Sequence, residues 1–285
     1  MSGDLLTTAI AAARAGGEIV AGAFRATDLG VRLKAANDFV TRVDGESERA
    51  VVDTLLSRHP DHAVLAEEGG GRPGAPGNEC QWLVDPLDGT TNFLRGVPFF
   101  AVSVACRCSG RLVAAAVLEP LRGDLFTAAL GEGARLNGEP IAVAPRGSLD
   151  GALVATGFPF RHREVEDAYF DAFRRVFRRV SGIRRCGSAA LDLAYTAAGV
   201  FDGFFELRLA PWDIAAGALL VREAGGVISD FAGGDGFLDS GNVVAGAPGL
   251  HRDLLAEVRT AVARVREILA DQSYQRFVQQ ERRPG

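Results

Sequence analysis

The chain contains no run of about 18 apolar residues, so no transmembrane helix is expected. Its first residues, MSGDLLTTAIAAARAGG, interrupt the apolar positions with Asp4 and Arg14, unlike the h-region of a signal peptide. A cytoplasmic protein is the expectation. Cysteine is scarce: Cys80, Cys106, Cys108 and Cys186 share no CxxC spacing, which argues against a zinc ribbon. The expected state is four reduced thiols, with Cys106 and Cys108 packed in the strand-like run FFAVSVACRC. Histidine is equally sparse, and His59, His62, His162 and His251 all fall outside the acidic segments described below. That argues against a Ser/His/Asp hydrolase, a phosphohistidine intermediate and a His-ligated zinc. No GxxxxGK[ST] pattern points to a nucleotide-driven kinase. Positive charge is also short: the formal net charge is -5 and the arginines are scattered, so direct nucleic-acid binding is not expected.

What is present is an ordinary globular composition, 47% apolar and 24% charged. Helical spacing over residues 4–26 and 44–58 brackets an extended segment, Val31 to Val43. The Gly- and Pro-rich stretch Gly69 to Gly77 reads as a surface loop. Short apolar runs at Gln81–Val84, Phe99–Ala105, Leu112–Leu118 and Leu125–Ala129 predict a sheet dominated by hairpins. Beyond residue 150 strand and helix signals alternate, ending in a helix near 250–270 and a polar tail, 271–285. The reading is a layered α/β or α+β unit, 1–270, of two packed halves meeting near residue 150.

Chemistry is concentrated in WLVDPLDGTTNF, residues 82–93. An apolar strand is expected to end at Asp85, with Pro86 stopping the ladder and Asp88 standing where a helix over Gly89–Leu94 begins. Two carboxylates three residues apart converge on one point, joined by an inward-turned Leu87 carbonyl. Such charges repel unless a cation separates them, and a hard ion with oxygen ligands, magnesium above all, meets that need. Gly89 and Thr90 supply backbone N–H groups for a phosphate. Glu67 and Glu68 in VLAEEGG, and Asp213 in APWDIAAG, are further acidic points that taken alone read as solvated surface and a helix cap.

Together these residues resemble the inositol monophosphatase family. The blocks KAANDFVTRVD, AEEGG, WLVDPLDGTTNF and PWDIAAGALLVREAGG match in order, as does RRCGSAALDLAYTAAG followed by DGFFELRL. The resemblance, closest to the bacterial inositol-1-monophosphatases, implies an α+β, five-layered αβαβα sandwich shared with fructose-1,6-bisphosphatase. It implies a homodimer that hydrolyses phosphate monoesters with two or three Mg2+ ions and is inhibited by lithium. On that resemblance Glu67, Asp85, the Leu87 carbonyl, Asp88 and Asp213 are expected to hold metal, and Thr90 with Asp44 to orient the attacking water. Glu67 counts with that catalytic pair. Gly89, Thr90, Gly187, Ser188, Ala189, Glu206 and Asp213 are expected to bind substrate, with Lys34 and Asp38 as accessory residues. Arg208 and Ala210 depart from the family pattern, where a small residue and, in some members, histidine are found. TTNF after Gly89 favours myo-inositol 1-phosphate. The competing readings are a sibling phosphatase acting on histidinol phosphate, fructose 1,6-bisphosphate or a 3'-phosphonucleotide, and a regulatory binding protein of the transcription machinery.

Overall fold

The computed structural model describes residues 2–35 and 38–270, with side chains described over 3–34 and 39–259. The expected tail, 271–285, lies outside the described residues. Helix α1 (Ser2–Ala23) is followed by the hairpin β1 (Arg32–Ala35) and β2 (Asp38–Val40), and then by α2 (Arg42–Arg58). Thr41 caps α2: its hydroxyl accepts from the Val43 amide while Asp44, at the third helical position, accepts from the Thr41 amide. There follow β3 (Ala63–Ala66), β4 (Gly70–Arg72), β5 (Cys80–Asp88), the short α3 (Thr90–Arg95), β6 (Ala101–Cys108), β7 (Arg111–Glu119), β8 (Asp124–Ala129), β9 (Ala134–Leu136) and β10 (Glu139–Pro140). These strands form one eight-stranded sheet in the order β10-β9-β8-β7-β6-β5-β3-β4. It is an antiparallel meander apart from the parallel pair β3 and β5.

The second half runs β11 (Leu153–Thr156), α4 (Glu166–Phe177), β12 (Gly182–Arg184), α5 (Ala189–Ala197), β13 (Gly203–Glu206), α6 (Pro211–Glu223), β14 (Val227–Ser229), α7 (Phe237–Ser240), β15 (Val243–Gly246) and α8 (Pro248–Ala270). Its five-stranded sheet has the order β12-β11-β13-β15-β14, with β12, β11 and β13 parallel. Three apolar clusters bind the layers together. One joins α1 and α2 to one face of the larger sheet, through Leu5, Val51, Leu55, Trp82 and Val104. Another runs from that sheet's opposite face through α5 and α6 to the smaller sheet, through Leu83, Val117, Leu191, Leu219 and Phe204. The third packs α4 and α8 on the outer face of the smaller sheet, through Tyr169, Phe205, Val244 and Leu254. The order is therefore αβαβα, and the small residues of α5 and α6 let that helical pair lie closely between two sheets. Among the described residues no helix is long and apolar enough to cross a membrane.

Three local expectations are corrected. Cys80 and Cys108 are joined by a disulfide, not reduced. They face each other at the open end of the β5–β6 hairpin, with Cα atoms 4.1 Å apart, a juxtaposition set by strand register rather than by sequence spacing. Cys106 is buried as expected, and Cys186 is half-buried and free. Pro86 does not end β5: the ladder breaks between Asp85 and Asp88 and resumes with Asp88 opposite Ala101, so the proline occupies a bulge where no donor is needed. Part of the Gly69–Gly77 loop is a short exposed edge strand, β4, paired with β3.

Candidate active site

The parallel strands β3 and β5 end side by side, and this places Glu67 next to Asp85 and Asp88. Asp85 and Asp88 stand on either side of the bulge at Pro86, and both line one cavity. The Ser47 hydroxyl donates to the Pro86 carbonyl at 2.8 Å and fixes the bulge to α2. Glu67 is positioned from behind by a residue that sequence reasoning missed. The buried Glu48 carboxylate accepts from the Glu68 and Gly69 amides, each at 2.7 Å, and so shapes the turn after β3. A glutamate on an amphipathic helix gives no sign in sequence that it faces inward.

Asp213 reaches the same cavity from the start of α6. One of its oxygens accepts from the Ala210 amide at 2.8 Å, and the Ser103 hydroxyl donates to the neighbouring Trp212 carbonyl at 3.3 Å, tying this helix start to β6. Asp213 thus caps the helix and lines the cavity at once. Asp88 is held through one oxygen, which accepts from the Ser188 hydroxyl and the Ala190 amide, each at 2.7 Å. This gives Ser188 a structural partner that the expectation of a substrate ligand did not include. Asp85 accepts from the Leu87 amide at 3.0 Å.

Burial raises the carboxyls of Asp85, Asp88 and Asp213 above the ordinary range; the charge of Glu67 raises all three further, that of Asp88 raises Asp85 and Asp213, and that of Asp213 raises Asp85. The positive charge of Arg161 acts in the opposite direction on Asp88 and Asp213. Glu67 also pairs with Lys34, at 3.2 Å, and Lys34 reaches Glu68 as well. Asp38 lies on β2 with its side chain outside the described residues.

Thr90 and Asp44 meet across 46 residues of sequence, the Thr90 hydroxyl donating to Asp44 at 3.0 Å and standing 3.1 Å from the Leu87 carbonyl. The other Asp44 oxygen accepts from the Thr41 amide at 2.9 Å and the Thr41 hydroxyl at 2.6 Å. Gly89 precedes α3 with φ 98, and a Cβ there would lie 3.1 Å from the Phe99 carbonyl and 3.2 Å from that of Gly187, so only glycine fits without strain. Asn92 fastens this turn to the opposite half by donating to the Phe99 and Cys186 carbonyls, at 2.7 and 2.8 Å.

A single cavity of about 530 Å³ joins these groups to the substrate-side segments, taking in Gly187, Ser188, Ala189 and Glu206. Gly157 was also missed: a Cβ there would fall 1.8 Å from a Glu206 oxygen, so the Glu206 carboxylate occupies the space a side chain would need. Asp192, on α5, lines the cavity too and is buried, with one oxygen lacking a hydrogen-bond partner. Burial pushes the Glu206 and Asp192 carboxyls well above the usual range; the Asp192 charge raises Glu206 further, the Asp88 charge raises Asp192, and Arg185 opposes both shifts.

Among the described residues no three His, Cys, Asp or Glu side chains already stand in a geometry that encloses an ion. The donor chemistry still fits magnesium: several carboxylates and a carbonyl, hard oxygen ligands only, with Asp85 buried and Asp88 and Asp213 half-buried in the same cavity. Glu67, Asp85, Asp88, Asp213 and the Leu87 carbonyl are the groups that would hold it.

A family model described as the inositol monophosphatase family matches residues 2–263. The Nus factor SuhB of Pseudomonas aeruginosa is 48% identical over 259 residues, covering 90% of this chain and 96% of its own. Extragenic suppressor protein suhB from Bartonella henselae, in its crystal structure, superposes with a TM-score of 0.86 at 39% identity, over 90% of this chain and 98% of that one. Inositol monophosphatase from Anabaena (Nostoc) superposes with a TM-score of 0.80 at 33% identity, over 90% and 95%.

Proposed function

Because the chain belongs to the inositol monophosphatase family, we propose that it is a magnesium-dependent phosphatase of polyol monophosphates, with myo-inositol 1-phosphate the favoured substrate. The observation that carries this reading is the meeting of Glu67, Asp85, Asp88, Asp213 and Thr90 in one cavity, with the buried Asp44 bonded to the Thr90 hydroxyl from behind. When bound, magnesium acidifies water and offsets the charge of the phosphoryl oxygens.

The chain's own residues do the aiming. With its proton committed to Asp44, the Thr90 oxygen can only accept a hydrogen bond. A water that donates to Thr90 turns a lone pair toward phosphorus, in line with the ester oxygen. The Gly89 and Thr90 amides face the phosphoryl oxygens and stabilise charge there. Glu206, pressed against Gly157, accepts hydrogen bonds from ring hydroxyls at the other end of the cavity. Water's oxygen forms the new bond to phosphorus, the ester P–O bond breaks, and a proton passes to the departing alcohol. Lithium sensitivity and a homodimer belong to the same reading.

Assay of a panel of phosphate esters with magnesium, with and without lithium, tests it. Phosphate release that lithium suppresses supports the proposal, and no release from any ester overturns it.

A second reading follows from the name Nus factor SuhB carried by similar proteins. It makes this chain a binding partner of the transcription machinery, beyond the small-molecule partner expected from sequence. A cellular phenotype that survives Asp88→Asn would favour it.

A further inference from the structure

Three of the four cysteines meet at the end of β5 opposite to Asp88. In the register of β5 on β6, Cys80 lies across from Cys108 and Trp82 across from Cys106. Cys106 and Cys108 are two residues apart on β6, so all three sulfurs emerge on one face of the sheet, the face that α1 and α2 cover. The Cys106 and Cys108 sulfurs stand 3.8 Å apart. Two thiolates on one tetrahedral ion, each about 2.3 Å from the metal, are held roughly 3.8 Å from one another.

While Cys80 and Cys108 share a bond, the sulfurs cannot enclose an ion. A dithiol that passes two electrons and two protons to that bond, closing to its own disulfide, leaves three thiols side by side. His62 stands next to them. It directly precedes β3, whose Ala63 pairs with Gln81, so register sets His62 beside Cys80. Its ring stacks on Trp82 with centres 5.9 Å apart, and its buried Nδ1 has no hydrogen-bond partner. Burial and the charge of His59 lower the His62 pKa, so the neutral imidazole, the form that ligates metal, prevails at neutral pH. Sulfur and imidazole donors select soft ions, whereas the hard oxygens of the acidic cavity suit magnesium.

We infer that Cys80, Cys106, Cys108 and His62 form a redox-gated site for a soft divalent cation such as zinc, closed by the Cys80–Cys108 disulfide and opened by its reduction. The entering cation displaces the three thiol protons and staples the open end of the β5–β6 hairpin in the disulfide's place. This site neither uses nor needs the phosphatase chemistry.

For the test, the full-length protein is reduced with a phosphine, freed of it anaerobically, and titrated with Cd2+ in excess magnesium, which keeps the acidic cavity occupied. The ultraviolet charge-transfer absorption of cadmium thiolates counts the sulfurs bound. Reduced wild type is expected to take up one Cd2+ per chain with the absorption of three thiolates, and the Tm lost on reduction should be regained. The oxidised protein should bind at least about a hundredfold more weakly, since outer-shell losses alone cost about 10–100-fold. Cys106→Ser and His62→Ala each remove a ligand and should weaken binding at least about tenfold. His62 is half-buried, so its variant tests the site even where the buried Cys106 does not tolerate serine. No thiolate absorption after reduction, the same absorption without it, or a folded variant that binds as tightly as wild type overturns the site.

Discussion

Magnesium should stabilise the protein against heat, and by more at pH 8 than at pH 5.5. Asp85, Asp88 and Asp213 have their carboxyl pKa values raised in the fold, by burial first and then by the charge of neighbouring acids, Glu67 for all three. As pH climbs above the ordinary carboxylate range near ~4, the unfolded chain releases these protons while the folded chain still holds them. Stability of the metal-free protein therefore falls with rising pH until the raised values are passed. It is fully present only below the unfolded pKa. Magnesium binds the ionised carboxylates, so its contribution grows across the same window. At a concentration about 100-fold above Kd, one ion contributes about 2.7 kcal/mol. For 285 residues at about 2.1 cal/mol/K each, the unfolding entropy is about 0.6 kcal/mol/K, so each ion shifts Tm by about 4–5 °C. Calorimetric scans with magnesium or a chelator at the two pH values measure the effect. A shift equal at both, or a metal-free Tm that rises between them, would refute the reasoning.

Reduction of Cys80–Cys108, which closes a 28-residue separation, should cost about 3–4 kcal/mol by the chain-entropy estimate, read from urea unfolding with and without a reductant. Gly157→Ala drives a Cβ into the Glu206 carboxylate; KM for a polyol phosphate should rise at least about tenfold with the circular dichroism spectrum unchanged. Glu48→Ala leaves the half-buried Glu68 amide and the exposed Gly69 amide without their acceptor and should destabilise by about 1–3 kcal/mol; a loss under about 0.5 kcal/mol in urea would contradict the role given to Glu48.

The sequence made the site's acids legible because the chemistry is packed into short segments, where DPLDG and its neighbours can be read without knowing the fold. The hairpins of the first half and the alternation of the second were legible for the same local reason. What depends on distant register was not. The disulfide needs the pairing of β5 with β6, which no spacing rule supplies. Continuation of β5 past Pro86 needs a bulge, which lets a proline stay in a ladder. Glu48 and Asp192 sit on helices whose residue pattern gives no sign of a carboxylate facing inward. Gly157 is intelligible only once Glu206 is seen against it. Arg161, Arg185 and Arg208 line the cavity from three segments that only the parallel strands bring together.

The most direct test of the central claim is the rate of phosphate release from myo-inositol 1-phosphate by wild type and Asp88→Asn, measured with magnesium and with a chelator. Wild type should turn over only with magnesium, and Asp88→Asn should be slower by at least about a hundredfold with its Tm in chelator not lowered, since the substitution removes a buried acid that repels its neighbours. Equal rates for the two proteins, or release that ignores the chelator, would contradict the account.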